Sequence, residues 1–266
     1  MHIVVCVKAV PSTTEVKMDP KTNTIVRDGR QAVVNPFDAT GLEIALHIKD
    51  ECAAAGDPCR VTVLSMGIPD TERLLRDCIA RGADDGLLLS DRAFAGADTL
   101  ATTYALSRGI ACMDEPADLV VCGKMAVDGD TAQIGPELAG ALDVPCVVDV
   151  QRLHGIVGST LALERATDAG RELVEVDLPA VITVAKDAAQ LRMPSIAGVL
   201  AAEGVPIAVK TAADVDADPA RTGLSGSPTQ VVRSFVPERA SEAVCVTGDA
   251  AEQAAALVEL IEEACR

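Results

Sequence analysis

The chain contains few aromatic and few basic residues. Its 266 residues include no tryptophan, one tyrosine and three phenylalanines, and 23 lysines and arginines stand against 40 aspartates and glutamates, which gives a net charge of −17. Nonspecific binding to nucleic acid needs clustered basic side chains that neutralise phosphates, so the charge argues against that class of function. Because rings are scarce, we do not expect a cofactor to be held by aromatic stacking within this chain alone.

The patterns of a metal site, a disulfide framework and a hydrolase are also missing. The nine cysteines are odd in number, have no Cys-x-x-Cys spacing and lie partly inside apolar runs, where cysteine acts as a small hydrophobe. The three histidines are scattered, and no order of Ser, His and Asp suggests a hydrolase. We therefore predict no metal site and no catalytic side chain, and we expect a cofactor to carry any chemistry.

Long apolar runs are missing as well. No window of the sequence approaches the roughly 18 consecutive apolar residues of a membrane span. The N-terminus leads into a predicted strand without the pattern of a signal peptide. We therefore expect a cytoplasmic protein that does not span a membrane.

Short apolar runs alternate with helical patterns through the first part of the chain. Predicted strands cover residues 3–7, 61–64, 86–89 and 119–122, and predicted helices cover about 37–54, 70–81 and 98–112. This alternation is typical of a parallel sheet with crossover helices. It predicts a Rossmann-like α/β fold.

After Pro145 the pattern changes to shorter strands, some of them antiparallel. They are predicted over residues 146–153, 160–164, 172–176 and 180–184. A short helix after Pro194, an exposed connector over 214–228, a strand over 231–236 and an amphipathic helix over 250–264 follow. We predict a mostly parallel sheet with flanking helices and extra antiparallel strands in residues 1–205, and an extended C-terminal arm in residues 206–266.

The most informative segment is residues 123–136, here called the nucleotide turn, between a predicted strand and a helical pattern. A strand, turn and helix start in this order aim backbone N–H groups and the helix dipole at an anion such as a phosphate or pyrophosphate. Asp130 and Gln133 have the spacing of a capping box, which predicts a helix start near Thr131. An ordinary capped connection is the alternative, since neither a Walker A nor a Gly-x-Gly-x-x-Gly pattern is present.

Other polar segments are predicted at the same edge of the sheet, where the carboxyl ends of parallel strands meet. They are residues 6–8, 35–38, 65–67 and 86–91. Lys8 could neutralise a phosphate or end a strand in solvent, and Asn35 could contact a nucleotide or start a turn. Met66 could be a core residue or a ligand contact. A shared nucleotide site is the economical interpretation.

In these segments the chain resembles the beta subunit of electron-transfer flavoproteins. The resemblance covers the whole length and joins the nucleotide turn to the Leu-Pro-Ala-Val stretch at 178–181 in the family's order. It implies an α/β subunit that pairs with an alpha subunit and buries an adenine nucleotide. In the family's simple electron carriers that nucleotide is AMP, and in the electron-bifurcating group it is a second FAD. Residues 128–136, together with 98–105 and 226–237, resemble the bifurcating group.

The resemblance also implies site residues. The backbones of Cys6, Asn35 and Met66 would line the adenosine pocket, near Lys8. Ribose and phosphates would lie on Asp128, Gly129, Asp130, Thr131, Ala132, Gln133 and Ile134. Residues 189–194, here called the docking segment, would contact a dehydrogenase through Leu191, Met193 and Pro194. Met193 would be the apolar anchor, although an ordinary loop before a helix has the same pattern. The family's usual Asn-Glu-Pro-Arg-Tyr before the docking proline is missing here.

The function that the resemblance implies is electron bifurcation. NADH would be oxidised by flavin chemistry at the beta-bound FAD, and its electrons would reach ferredoxin or flavodoxin and, through the alpha-subunit FAD, a dehydrogenase. The arm over residues 206–266 would pack on the alpha subunit. Two alternatives stay open: a non-bifurcating carrier that binds AMP in the same pocket, and a nucleotide-sensing module without a redox role.

Overall fold

The computed structural model describes residues 1–12, 32–232 and 245–265. Contacts divide the chain into two units, Met1–Val231 and Val232–Arg266. The strands are β1 (His2–Cys6), β2 (Ala9–Pro11), β3 (Ala32–Val34), β4 (Arg60–Met66), β5 (Asp85–Leu89), β6 (Leu119–Gly123), β7 (Cys146–Val157), β8 (Thr160–Thr167), β9 (Gly170–Asp177), β10 (Ala180–Val184) and β11 (Ile207–Lys210). The α-helices are α1 (Pro36–Ala55), α2 (Glu72–Ala80), α3 (Thr99–Ala111), α4 (Ile134–Leu142), α5 (Ile196–Gly204) and α6 (Ala250–Ala264).

One sheet of nine strands organises the first unit. Its order is β11-β5-β4-β1-β6-β10-β7-β8-β9, and a separate antiparallel pair joins β2 to β3. All pairs from β11 to β7 are parallel, whereas β7, β8 and β9 pair antiparallel. From β1 the chain builds β4 and β5 on one side and then returns to place β6 on the other. The carboxyl ends of β1 and β6 therefore form the switch point where open α/β sheets bind ligands.

Two hydrophobic cores cover the two faces of the sheet. Side chains of a strand alternate between faces, so Ile3 contributes to the first core, with Leu42 of α1 and Leu75 of α2. Its neighbour Val4 contributes to the second core, with Leu138 of α4. Burial on both faces explains why the central strands are nearly continuous apolar runs.

The predicted α/β fold is confirmed. Each strand predicted before residue 185 overlaps an observed one, and the helix predicted over 250–264 has the same bounds as α6. The second predicted helix is divided, because a 3-10 turn over Pro69–Thr71 precedes α2. Strand β7 extends to Val157, four residues beyond its predicted end. The short strands β2, β3 and β11 were not predicted.

Residues 214–228 form a mostly exposed connector without a strand or an α-helix, as predicted, but a few of its side chains are buried against the rest of the first unit. Val215, Thr222 and Ser227 are buried, and the Ser227 hydroxyl accepts a hydrogen bond of 2.8 Å from the backbone of Asp98. Strand β11 also pairs with β5, so the first unit extends to Val231, beyond the domain boundary predicted after residue 205. The strand predicted over 231–236 and the stretch 235–237 lie mainly or wholly outside the described residues.

The second unit contains α6. The helix begins with a capping box between Asp249 and Glu252. Its apolar side chains Leu257, Leu260 and Ile261 are exposed. Across the described ranges, none of the helices combines the length with the apolar character that is needed to cross a membrane.

Candidate functional site

Asp38, in the first turn of α1, lies at the switch point. Its carboxylate accepts hydrogen bonds from the backbone N–H of Lys8 (2.7 Å), the backbone N–H of Gly123 (3.1 Å) and the side-chain amide of Asn35 (2.9 Å). Lys8 follows β1 and Gly123 ends β6. One buried side chain therefore joins the carboxyl ends of the two strands that flank the crevice.

Burial raises the pKa of Asp38 to about 7, even though its hydrogen bonds and the charge of Lys8 favour the ionised form. Asp38 therefore changes its protonation state near neutral pH. Since all three partners are donors, the ionised carboxylate is the form that satisfies them together.

Gly123 allows this close approach. A Cβ atom added there would lie 2.3 Å from Oδ1 of Asp38 and 2.6 Å from Cβ of Phe37. Such distances are far inside van der Waals contact, so a larger residue would force β6 away from α1. The glycine keeps the switch point narrow.

Asn35 fixes the start of the nucleotide turn. Its fully buried side-chain amide donates to the carbonyl of Met125 (2.9 Å), and its oxygen accepts from the backbone N–H of Val127 (3.2 Å). Its backbone N–H donates to the carbonyl of Lys8 (2.9 Å). Asn35 thus connects β1, α1 and the nucleotide turn.

Beyond Val127 the nucleotide turn is exposed. Asp130 and Ala132 have positive φ angles of 50° and 55°, which are unfavourable for residues other than glycine and are found preferentially at functional sites. Asp128 forms an ion pair with the Lys8 ammonium, with Nζ 2.5 Å from Oδ1. The pair brings the turn over the end of β1.

The predicted capping box at Asp130 and Gln133 is wrong. Helix α4 begins at Ile134 with Gln133 as its N-cap, and no side chain of the described residues caps it. The reason is the left-handed backbone of Asp130, which keeps the chain in the turn for three more residues. The N–H groups of Ile134 and Gly135 therefore lack a side-chain cap and can meet an anion.

Tight packing fixes the position of this helix start. A Cβ atom added at Gly135 would lie 2.1 Å from Cγ2 of Thr183 on β10. The Glu137 carboxylate accepts hydrogen bonds from the hydroxyls of Thr99 (3.1 Å) and Thr103 (2.9 Å) of α3. Helix α4 is thus held against both its sheet and its neighbouring helix.

The structure places the other predicted nucleotide contacts at the same edge of the sheet. Cys6 ends β1, and Met66 ends the adjacent β4. The thiol of Cys6 contacts that of Cys122, and this hydrogen bond and burial raise the pKa of Cys122 well above its ordinary value. Cys122 is therefore a protonated, unreactive thiol at neutral pH.

Two polar residues at this edge lie in segments that were predicted there, but neither was assigned a role from the sequence. Asp38 has the pattern of an ordinary acidic residue in the first turn of a helix, where it suits the dipole. Lys124 follows β6 and its ammonium lies 2.6 Å from Oδ2 of Asp149, a residue with a positive φ of 59°. A charged residue directly after a predicted strand was the available signal for Lys124.

The docking segment lies at a different part of the surface, before α5. Leu191 is half-buried against the first core, and Met193 is 83% exposed. Ser195 caps α5, since its hydroxyl accepts from the backbone N–H of Gly198 (2.9 Å). An open cleft of about 490 Å³ separates the first turn of α1 from residues 186–191. The segment therefore presents an apolar side chain from a structured base.

Known proteins resemble this chain along its whole length. Residues 22–215 match the family model described as the electron transfer flavoprotein domain. Subunit CarD of the caffeyl-CoA reductase–Etf complex of Acetobacterium woodii is 42% identical over 264 residues, covering 99% of this chain and 98% of that protein. The electron transfer flavoprotein subunit beta of Thermoanaerobacterium thermosaccharolyticum is 43% identical and covers 97% of each chain.

A third relative is protein FixA of Bradyrhizobium diazoefficiens, which is 38% identical over 98% of this chain and 91% of its own. The family model matches well over half of the 266 residues, and the relatives align with nearly all of them. The chain therefore belongs to the electron transfer flavoprotein family, as a member of its beta subunits.

Proposed function

We propose that this beta subunit binds FAD at the switch point and takes part in electron bifurcation from NADH. The observation that carries the proposal is the nucleotide turn, which Asn35 fixes at its start and which ends in the uncapped N-terminus of α4. Exposed backbone N–H groups next to a helix N-terminus suit a pyrophosphate. The redox chemistry would be supplied by the flavin when it is bound.

The residues at this edge fit an adenine dinucleotide. Asp128, Gly129, Asp130, Thr131, Ala132 and Gln133 are all exposed, as a segment that contacts ribose and phosphates must be before it binds. Lys8, after β1, and Lys124, after β6, supply positive charge at this edge, each in an ion pair with an aspartate. Cys6, Asn35 and Met66 would surround the adenosine. Asp38 would hold the ends of β1 and β6 at a fixed distance and would orient Asn35.

The bifurcating role is favoured over the AMP-binding alternative by the residues of the turn. Its Asp-Gly-Asp-Thr-Ala-Gln sequence at 128–133, followed by Gly135 and Pro136, resembles the bifurcating group. We propose that electrons from NADH pass to ferredoxin or flavodoxin and, through the FAD of the alpha subunit, to a dehydrogenase. One relative carries the name of a complex between a reductase and such a flavoprotein, which agrees with a dehydrogenase partner.

We also propose two protein contacts. The docking segment would bind the dehydrogenase through Leu191, Met193 and Pro194, because Met193 is highly exposed there. The arm would pack on the alpha subunit, because α6 exposes Leu257, Leu260 and Ile261 on an amphipathic helix. We place the complex in the cytoplasm.

The test is to co-express the chain with its alpha subunit, denature the purified complex and quantify the released nucleotides by chromatography. Two FAD per heterodimer are expected, together with reduction of the flavin by NADH. One FAD and one AMP would instead make the protein a simple electron carrier. A complex that purifies without any flavin would leave the nucleotide-sensing alternative.

A further inference from the structure

A buried carboxylate lies beneath the docking segment. Glu43 of α1 is 3% exposed. Its carboxylate accepts four hydrogen bonds of 2.9 to 3.1 Å from Arg192, whose donors are the backbone N–H, Nε and Nη2. His47, one turn further along α1, places Nε2 3.0 Å from the same carboxylate. Paired N–H donors of an arginine on one carboxylate fix both position and orientation of the two side chains.

The backbone of Arg192 is held on its other side as well. Its carbonyl accepts a hydrogen bond of 2.6 Å from the guanidinium of Arg81, at the end of α2. Its own guanidinium also reaches Asp50, with Nη2 2.9 Å from Oδ2. The N–H, the carbonyl and the side chain of residue 192 are therefore all engaged, directly before Met193.

The apolar residues that follow are exposed. Met193 and Ile196 are 83% and 84% exposed, and Leu200 is 66% exposed one helical turn after Ile196. The far end of α5 is fixed by Arg76, whose guanidinium donates to the carbonyls of Ala202 (2.6 Å) and Val205 (3.2 Å). The surface thus combines exposed apolar side chains with a backbone that is fixed on both sides.

We infer that the Glu43–Arg192 pair is an anchor that orders the docking segment before any partner arrives. Glu43 and Arg192 are positioning residues, because their interaction fixes the backbone directly before Met193. Ordering the segment in the free subunit lowers the entropy lost on association, which strengthens binding without adding a contact. This inference rests on the docking role proposed above for Met193.

The test uses the absence of tryptophan from this chain. The substitution Met193→Trp adds a single indole whose time-resolved fluorescence anisotropy reports the mobility of the docking segment in the purified full chain. Adding Arg192→Gln or Glu43→Gln should lower the residual anisotropy by roughly a third or more, the difference between ordered and flexible segments. The double variant should add little to either single change, since both remove the same interaction.

Two further variants make the result decisive. Arg192→Lys keeps the charge but loses the paired donors, so it should also loosen the segment even if Glu43→Gln prevents folding. Arg171→Gln is the matched control, because it removes an Arg–Glu pair, to Glu164 at 3.0 Å, from the surface of the β8–β9 hairpin. Unchanged anisotropy in both Arg192 variants would overturn the anchor, as would an equal decrease in the Arg171 variant.

A second readout separates the anchor from the docking role. The Arg192→Gln complex should retain wild-type nucleotide content and lose affinity for its dehydrogenase. If Met193→Ala leaves electron transfer to the dehydrogenase unchanged, the docking role of Met193 fails, whatever the anisotropy shows. If Met193→Ala weakens transfer but the Arg192 variants do not, the docking role stands and the anchor is overturned.

Discussion

The switch point and the docking segment are built in opposite ways. At the switch point, buried polar groups of Asn35 and Asp38 hold a turn whose residues 128–133 are exposed. At the docking segment, a buried ion pair between Glu43 and Arg192 holds a loop that exposes an apolar side chain. Backbone N–H groups suit an anion, whereas an exposed apolar side chain suits a hydrophobic pocket in another protein.

Both surfaces depend on α1. Its first turn carries Asp38, and Glu43, five residues further along, reaches the docking segment. Thr40 lies between them, and its hydroxyl donates to the carbonyl of Lys186 (2.6 Å) before the docking segment. One rigid helix thus fixes two surfaces, and substitutions that affect one surface alone can test their independence.

The largest effect is expected from Gly123→Val. Its Cβ would meet Oδ1 of Asp38 at 2.3 Å and push β6 away from α1. We expect complete loss of the beta-site nucleotide and a loss of stability of about 1–3 kcal/mol, the usual cost of overpacking. Nucleotide analysis and urea unfolding measure the two losses. Gly204→Val is the control, because a Cβ there also meets nothing within 4 Å and the residue lies in α5, outside the nucleotide turn.

The next effect is a pH dependence of stability. Burial raises the pKa of Asp38 from 3.8 to about 7, so between these values the folded chain binds this proton more tightly than the unfolded chain. The free energy of unfolding of the nucleotide-free chain should therefore fall as pH rises from 3.8 to about 7, by at most about 4 kcal/mol. Urea unfolding across this range should show the dependence in the wild type and lose it in Asp38→Asn. If the free energy of unfolding had the same pH dependence in the wild type and in Asp38→Asn, the raised pKa of Asp38 would be contradicted.

A smaller effect is expected when Asp38→Asn is tested for nucleotide binding. The amide places an NH₂ donor against at least one of the three N–H donors from Lys8, Gly123 and Asn35. An unmatched donor costs about 1–3 kcal/mol, so the Kd for the nucleotide should rise about tenfold or more. Titration calorimetry measures the change in Kd.

The same substitution should not affect the docking segment. In the Met193→Trp background, Asp38→Asn should leave the anisotropy of the indole unchanged, and a decrease in anisotropy would show that α1 couples the two surfaces.

The sequence predicted the sheet better than the site. Short apolar runs are a local signal, and burial on both faces of the sheet produces them in β1 and β4. The connector over 214–228 was predicted from its polar composition, but the burial of Val215, Thr222 and Ser227 within it depends on distant segments and was not predicted. The local propensities of the residues contain no information about contacts with distant segments.

The same limit applies to the two surfaces. The nucleotide turn could be proposed because its residues are consecutive, and the family that it indicated is confirmed by matches over nearly the whole chain. Asp38 reaches Gly123 across 85 positions, and Glu43 reaches Arg192 across 149. Neither partner is visible from local spacing, so the residues that hold these surfaces were assigned no role, whereas most of the contact residues proposed for them lie in consecutive stretches of the sequence.

The smallest effect is expected from Lys8→Gln, and it decides what holds the phosphates. The Lys8–Asp128 pair is partly exposed, so its loss should change stability by less than about 1 kcal/mol. If backbone N–H groups of the turn and α4 bind the anion, the nucleotide Kd should rise only a few-fold, and added salt should reduce the difference. Lys49→Gln, which removes the Lys49–Asp84 pair elsewhere, should leave the Kd unchanged. Complete loss of nucleotide from Lys8→Gln alone would mean that the ammonium, and not the backbone, is the main anion contact. The switch point would then bind its ligand through a charged side chain and not through backbone N–H groups.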